Sequence, residues 1–195
     1  MITQNINGTE NGHSFVDLGL PSGLLWATCN VGAKMPWETG LYFAWGETTG
    51  YTATQVKEGL RKFSKSSYKV KNVKADLTPE QDAAHANMGG KWRMPTKENF
   101  QELIKNCDSE WTEDYNGTGV AGELFTSTTN GNSVFFPDAG YCNGSSVRSV
   151  SSRGYCWSAS WDTSDDAWYL SFNSWDIGTD SLGRYLGFSV RGVCG

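Results

Sequence analysis

The densest group of side chains able to do chemistry in this sequence is acidic: Asp162, Asp165, Asp166, Asp176 and Asp180 fall in one stretch near the C-terminal end. Two carboxylates of such a group can act as a general acid and base, and several can ligate calcium through oxygen. The D-x-x-D-D run lacks the glycine and the terminal glutamate of an EF-hand loop. These acids therefore read as solvated loop carboxylates or as acceptors that face a ligand. Other reactive types are sparse. The 5 cysteines, Cys29, Cys107, Cys142, Cys156 and Cys194, form no C-x-x-C pair, and His13 and His85 give no zinc spacing. Cys142 and Cys156 sit in similar contexts, AGYCNGSS and RGYCWSAS, and could pair across neighbouring strands where the geometry allows, with buried free thiols as the reading for the rest. No nucleophile elbow, phosphate loop, H-E-x-x-H or dinucleotide fingerprint is present. The residues favour a non-enzymatic chain with no cofactor and no metal.

What stands out instead is aromatic. Trp157, Trp161, Trp168 and Trp175 lie among Ser, Asp, Gly and Asn between Gly154 and Gly195, with no Lys after Lys105 and no Glu after Glu123. Tyr and Trp bring rigid contact area at low entropic cost, and small polar residues bring adaptable hydrogen bonding, which is how binding surfaces are composed. The run Ala167 to Asn173 alternates, so Trp168, Leu170 and Phe172 should share a core face of a strand while Tyr169, Ser171 and Asn173 face outward. Trp157 and Trp168 read as core, whereas Trp161 and Trp175, each directly before an Asp, read as exposed in loops.

The elements that must position these groups follow from periodicity. His13–Leu20, LLWATCNVG from Leu24, GLYFAWGE, VAGELFTS, SVFFPDAGY after the Asn130-Gly131 turn, and GFSVRGV near the end read as strands. Thr78, Pro79 and Gln81 open one helix that Gly89 stops. Thr96 caps a second, whose Phe100, Leu103, Ile104 and Cys107 form one apolar stripe. Strands follow helices without βαβ alternation, which predicts an α+β class with a mainly antiparallel sheet. Residues 1–12 read as a polar tail, 13–195 as a single domain, and 49–73, Lys- and Ser-rich, as a surface insertion. The net charge of -5 leaves no cationic field for nucleic acid. No apolar run is long enough to insert in a membrane, and no signal peptide opens the chain.

Several of these runs carry a family resemblance. KWRMPTKENFQELI resembles the helix entry of C-type-lectin-like domains related to formylglycine-generating enzymes. GHSFVDLGLPSGLLWATCNVGA, GLYFAWGET, FFPDAGY, GYCWSAS and RYLGFSVRGV are similar to the Fibrobacter succinogenes major paralogous domains of gut Bacteroidetes surface proteins and their phages. The likeness runs from about His13 to Val193. It implies a C-type-lectin-like fold used for display outside the cell, on a cell surface or a virion. Some members are variable proteins of diversity-generating retroelements, in which a fixed scaffold presents altered side chains to a ligand. Carried over by position, the ligand-binding candidates are Trp161, Asp162, Thr163, Tyr169, Ser171, Asn173, Trp175, Asp176, Ile177, Tyr185 and Leu186. The E-P-N, Q-P-D and W-N-D signatures of calcium-dependent lectins are absent, as is a recognisable reactive cysteine pair, so neither calcium-mediated sugar binding nor the enzyme activity is implied. The partner expected is a protein or glycan. The alternative is a structural module, a homo-oligomer within a larger surface or phage-tail assembly; an enzyme of the formylglycine-generating type ranks third.

Overall fold

A computed structural model describes residues 6–70 and 72–195. The class is α+β, with mostly antiparallel sheets and three α-helices among the described residues. The strands are β1 (Gly8–Glu10), β2 (His13–Asp17), β3 (Leu25–Asn30), β4 (Cys107–Thr112), β5 (Gly122–Ser127), β6 (Ser133–Pro137), β7 (Tyr141–Asn143), β8 (Ser146–Arg148), β9 (Gly154–Trp161), β10 (Asp166–Asn173), β11 (Asp176–Gly183) and β12 (Arg191–Cys194). The helices are α1 (Ala53–Lys57), α2 (Ala83–Met88) and α3 (Lys97–Asn106). Four sheets result, with orders β1-β2-β3-β12, β11-β10-β9, β4-β5-β6 and β7-β8. The last strand, β12, closes the first sheet by pairing with β3.

The β9–β10 layer lies between two cores, and this decides what the C-terminal aromatics do. On one side Tyr155, Trp157, Ala167 and Tyr169 pack with Phe43, Trp45, Trp92 and Phe188. The rings of Trp157 and Phe188 stack there with centroids 4.1 Å apart. On the other side Cys156, Leu170 and Phe172 pack with Trp26, Phe100, Phe125 and Phe136. A strand covered on both faces has no display face, whatever its alternation. Tyr169, 6% exposed, is therefore core and not the outward residue its spacing suggests. Gly154 is required by the same close packing, because a Cβ there would stand 1.9 Å from the Phe172 ring.

Two arginines are buried as fasteners. The guanidinium of Arg191 has no carboxylate partner. It donates to Asn30 Oδ1, to the carbonyls of Ala27 and Thr28, and to that of Phe135, and lies 4.2 Å over the Phe136 ring. It thereby ties β3 and β6 to β12, and burial pulls its pKa down to about 10. Arg184, also buried, lies 4.6 Å over the Trp45 ring. Arginine suits such sites because its fork of donors is fixed and weakly hydrated.

Several expectations need correction. Residues 8–10 of the supposed tail form β1, and the Trp92 indole donates to the Glu10 carbonyl; residues 1–5 lie outside the described residues. Within the 49–73 segment, read as a surface insertion, several described residues are anchored to the rest: Tyr51 bridges to Tyr42, Thr52 and Gln55 cap α1 reciprocally, and Val56 and Phe63 are buried against Tyr42, Ala44 and Cys142. The helix expected from Thr78 to Gly89 breaks into a 3₁₀ turn (Pro79–Gln81) and α2, because Asp82 is extended and its carboxylate takes the His85 and Met94 amides instead. Helix α3 forms as its spacing predicts, capped by Thr96 and burying Phe100 and Leu103. All five cysteines are free: Cys142 packs in the Phe63 core and Cys156 in the Trp26 core. Trp175, read as a loop residue, stands in a turn that leads at once into strand β11.

Candidate functional site

Strands β10 and β11 pair residue for residue from Asp166↔Gly183 to Asn173↔Asp176, which leaves Ser174 and Trp175 as a two-residue turn. The Asn173 side chain fixes that turn. Its Oδ1 accepts from the backbone N–H of Trp175 at 3.0 Å and of Asp176 at 3.1 Å. Held this way, Trp175 projects 80% exposed, the most exposed large hydrophobic side chain among the described residues. Its neighbour Ile177 turns inward against the Trp26 core.

The hairpin tip abuts the β4–β5 sheet, and between them lies an open, shallow cleft of about 390 Å³ lined by Ser109, Trp111, Glu123, Asn173, Ser174, Trp175, Asp176 and Ile177. Trp111 and Glu123 are direct cross-strand partners, so their side chains share one face. The Trp111 indole N–H donates to Glu113 at 2.6 Å, which helps to set the ring. Glu123 is buried, and burial pushes its carboxyl up to about 7, the Ser109 hydrogen bond working against the shift and the Glu110 charge with it. Asn173 is 3% exposed, and its Nδ2 has no hydrogen-bond partner. The amide cannot be turned over to cure this, because both turn N–H groups need an acceptor and Oδ1 is that acceptor. Among the described residues no Lys or Arg lines the cleft. Its chemistry is two indoles, two carboxyls and an orphaned amide donor.

The chain matches no protein-family model, no curated protein and no solved structure.

The remaining candidates gather at the opposite end of the same sheet. Trp161, Asp162 and Thr163 leave β9, while Arg184, Tyr185 and Leu186 follow β11. Arg184 binds the carbonyls of Asp166, Val73 and Thr163, locking this loop from beneath. The Thr163 hydroxyl takes the amides of Asp165 and Asp166. Trp161 is half-buried against the Trp157 core, and its backbone amide donates to Asp76 at 2.8 Å. Tyr185 is half-buried and lines a second cleft of about 310 Å³ with Lys65, Tyr68 and Asp165. Eight strand residues separate the two ends by roughly 25 Å. One small ligand cannot touch both.

The single outward surface expected from the sequence is therefore corrected. Asn173, Trp175, Asp176 and Ile177 come together; Trp161, Asp162, Thr163 and Tyr185 form a separate group. Tyr169, Asn173 and Leu186, at 6%, 3% and 4% exposure, do not present their side chains to solvent, and Ser171 is half-buried between them. Asn173 keeps a place in the site only as the floor of the cleft. The acidic cluster divides as well, with Asp176 at the tip, Asp180 opposite Tyr169 in β11, and Asp162, Asp165 and Asp166 at the far end. Among the described residues no three His, Cys, Asp or Glu side chains converge as metal ligands. His85 is exposed, with Nδ1 3.2 Å from the Trp92 carbonyl. Trp111 and Glu123 are the site residues sequence reasoning missed. The available signal was a charged residue inside the apolar run VAGELFTS, at a position that alternation turns to the same side as Phe125.

Proposed function

We propose that this chain is a non-enzymatic display domain of C-type-lectin-like fold that captures a protein or glycan through the β10–β11 tip. One observation carries the reading: a tryptophan stands 80% exposed on a turn whose backbone is held by the Asn173 side chain. A large indole in water on a rigid support gains nothing for folding and gives a partner a preorganised anchor. The sequence resemblance supports the same reading. It extends to a surface or virion protein of gut Bacteroidetes or their phages, whose C-terminal segment a retroelement diversifies. The tip fits that role, since Ser174, Trp175 and Asp176 are exposed while the ladder behind them is closed. Among the described residues no helix is long and apolar enough to cross a membrane.

The test is Trp175→Ala on combined glycan and peptide arrays. Capture should fall below detection while the unfolding free energy from urea denaturation stays within about 0.5 kcal/mol of the parent. Undiminished capture would sink the reading. For diversification, a near-copy of the 3′ end of the gene, altered at adenines, is the expected finding at the locus.

A further inference from the structure

We propose that the cleft at the far end of the β9–β10–β11 sheet, roughly 25 Å from the tip, is a second binding site and takes a carboxylate borne on an apolar body. The charged group would meet the ammonium groups of Lys65 and Lys74, and the body would lie against Tyr68 and Tyr185. This site is separate from the tip and does not depend on the display reading above.

The walls limit the size of the ligand. The cleft holds about 310 Å³, at the small end of ligand pockets, and Tyr68, Val70, Val73 and Tyr185 form its apolar side. That suits one side chain or a small organic acid. The charges select the class. Lys65 and Lys74 line the same cleft, and neither pairs with a carboxylate among the described residues. The Lys65 Nζ instead lies 6.0 Å from the centroid of the Tyr185 ring, which keeps its charge beside the apolar wall. Behind them the buried Arg184 guanidinium donates to the carbonyls of Val73, Thr163 and Asp166 and to no carboxylate. The acids that oppose these three cations are Asp165, which lines the cleft, and Asp166, whose charge acts on Arg184 together with that of Asp165. One positive charge is left unmatched. The neighbouring chain does not supply the missing anion, because residues 59–75 contain no Asp or Glu. A cationic ligand would meet like charge, and a neutral one would gain nothing from either ammonium. Between anions the balance decides: a carboxylate brings the single charge that is wanted, whereas a phosphate monoester brings about 1.5 to 2 at pH 7 and would face Asp165.

The experiment is a ¹H–¹⁵N titration of the whole chain at low salt with benzoate, hexanoate and N-acetyl-leucine. N-acetyl-leucinamide, benzyl alcohol, benzylammonium and phenyl phosphate are the comparisons. At least one carboxylate should move the backbone amides of residues 72–74 and 164–166, with a dissociation constant on the order of 1 mM for a ligand of this size. The same carboxylate should bind more weakly in about 0.5 M NaCl. N-acetyl-leucinamide, which differs from N-acetyl-leucine by the charge alone, should bind at least about tenfold less well. Lys65→Glu combined with Lys74→Glu changes two exposed side chains, so the fold should be kept while carboxylate binding falls about tenfold or more. Silence of every carboxylate would overturn the assignment, as would equal binding of N-acetyl-leucinamide, phenyl phosphate or benzylammonium as the tightest ligand, or carboxylate shifts that survive the double charge reversal. Shifts centred on Trp175 would overturn it too. Trp175→Ala should leave carboxylate binding unchanged, so failure here and failure of capture at the tip are read in different variants.

Discussion

Replacing Glu123 by glutamine should stabilise the protein at high pH and leave it unchanged at low pH. The carboxyl is buried beside Trp111, and burial raises it from an ordinary 4.5 to about 7. The folded state therefore holds a proton that the unfolded chain has released across that window. With one more proton bound in the folded form, stability falls as pH rises, by about 1.36 kcal/mol per unit. The contribution is fully present below 4.5 and lost as pH passes 7; the whole interval amounts to roughly 3 kcal/mol. Glutamine cannot ionise and retains a group that can bond Ser109, so Glu123→Gln isolates this term. Asp138, also buried and pushed up to about 7, contributes a similar slope in both proteins and cancels in the difference. Urea denaturation at half-unit steps from pH 4 to 8 is the assay. The two proteins should coincide near pH 4 and diverge by roughly 2–3 kcal/mol in favour of the variant at pH 8, at about 2–4 °C of Tm per kcal/mol for a chain of this size. A constant difference across the range, or a variant less stable at pH 8, would refute the account of Glu123 as a carboxyl kept protonated by burial.

Three further outcomes follow from the packing. Tyr169→Ala should cost about 3–5 kcal/mol in chemical denaturation, against a near-neutral Trp175→Ala, because only the first ring is in a core. Arg191→Met should lower stability by about 3 kcal/mol or more, since it strips donors from four buried acceptors at once. All 5 thiols should be alkylated after denaturation without reductant, as mass spectrometry would show, and dithiothreitol should leave the melting temperature unmoved.

Local signals made some of this fold legible and non-local packing hid the rest. Helix α3 could be read because its cap, Thr96, and its stripe lie within one short segment. Strands β3, β5 and β6 could be read from apolar and β-branched runs. Strand β11 could not: Gly178 and Asp180 have little tendency to extend, and they do so because β10 offers a full ladder. Alternation in β10 misplaced Tyr169 because period-two reasoning assumes one wet face, and a second core covers it here. The burial of Arg184 and Arg191 had no signal in the sequence, since nothing in linear order reports the carbonyls waiting for them. The aromatic richness of the C-terminal stretch was legible, but its division into two groups depends on which strand end each residue occupies. Trp111 and Glu123 join Trp175 only through the meeting of two sheets, a relation with no counterpart in linear spacing.

The β9–β10–β11 sheet holds its two loop groups at opposite extremities with closed ladders between them. Changes more than about 10 Å apart that share no partners combine additively. Alterations at residues 174–176 and at 161–163 should then compound without interference, and this one domain would carry two heads that can be retuned separately on a common shaft.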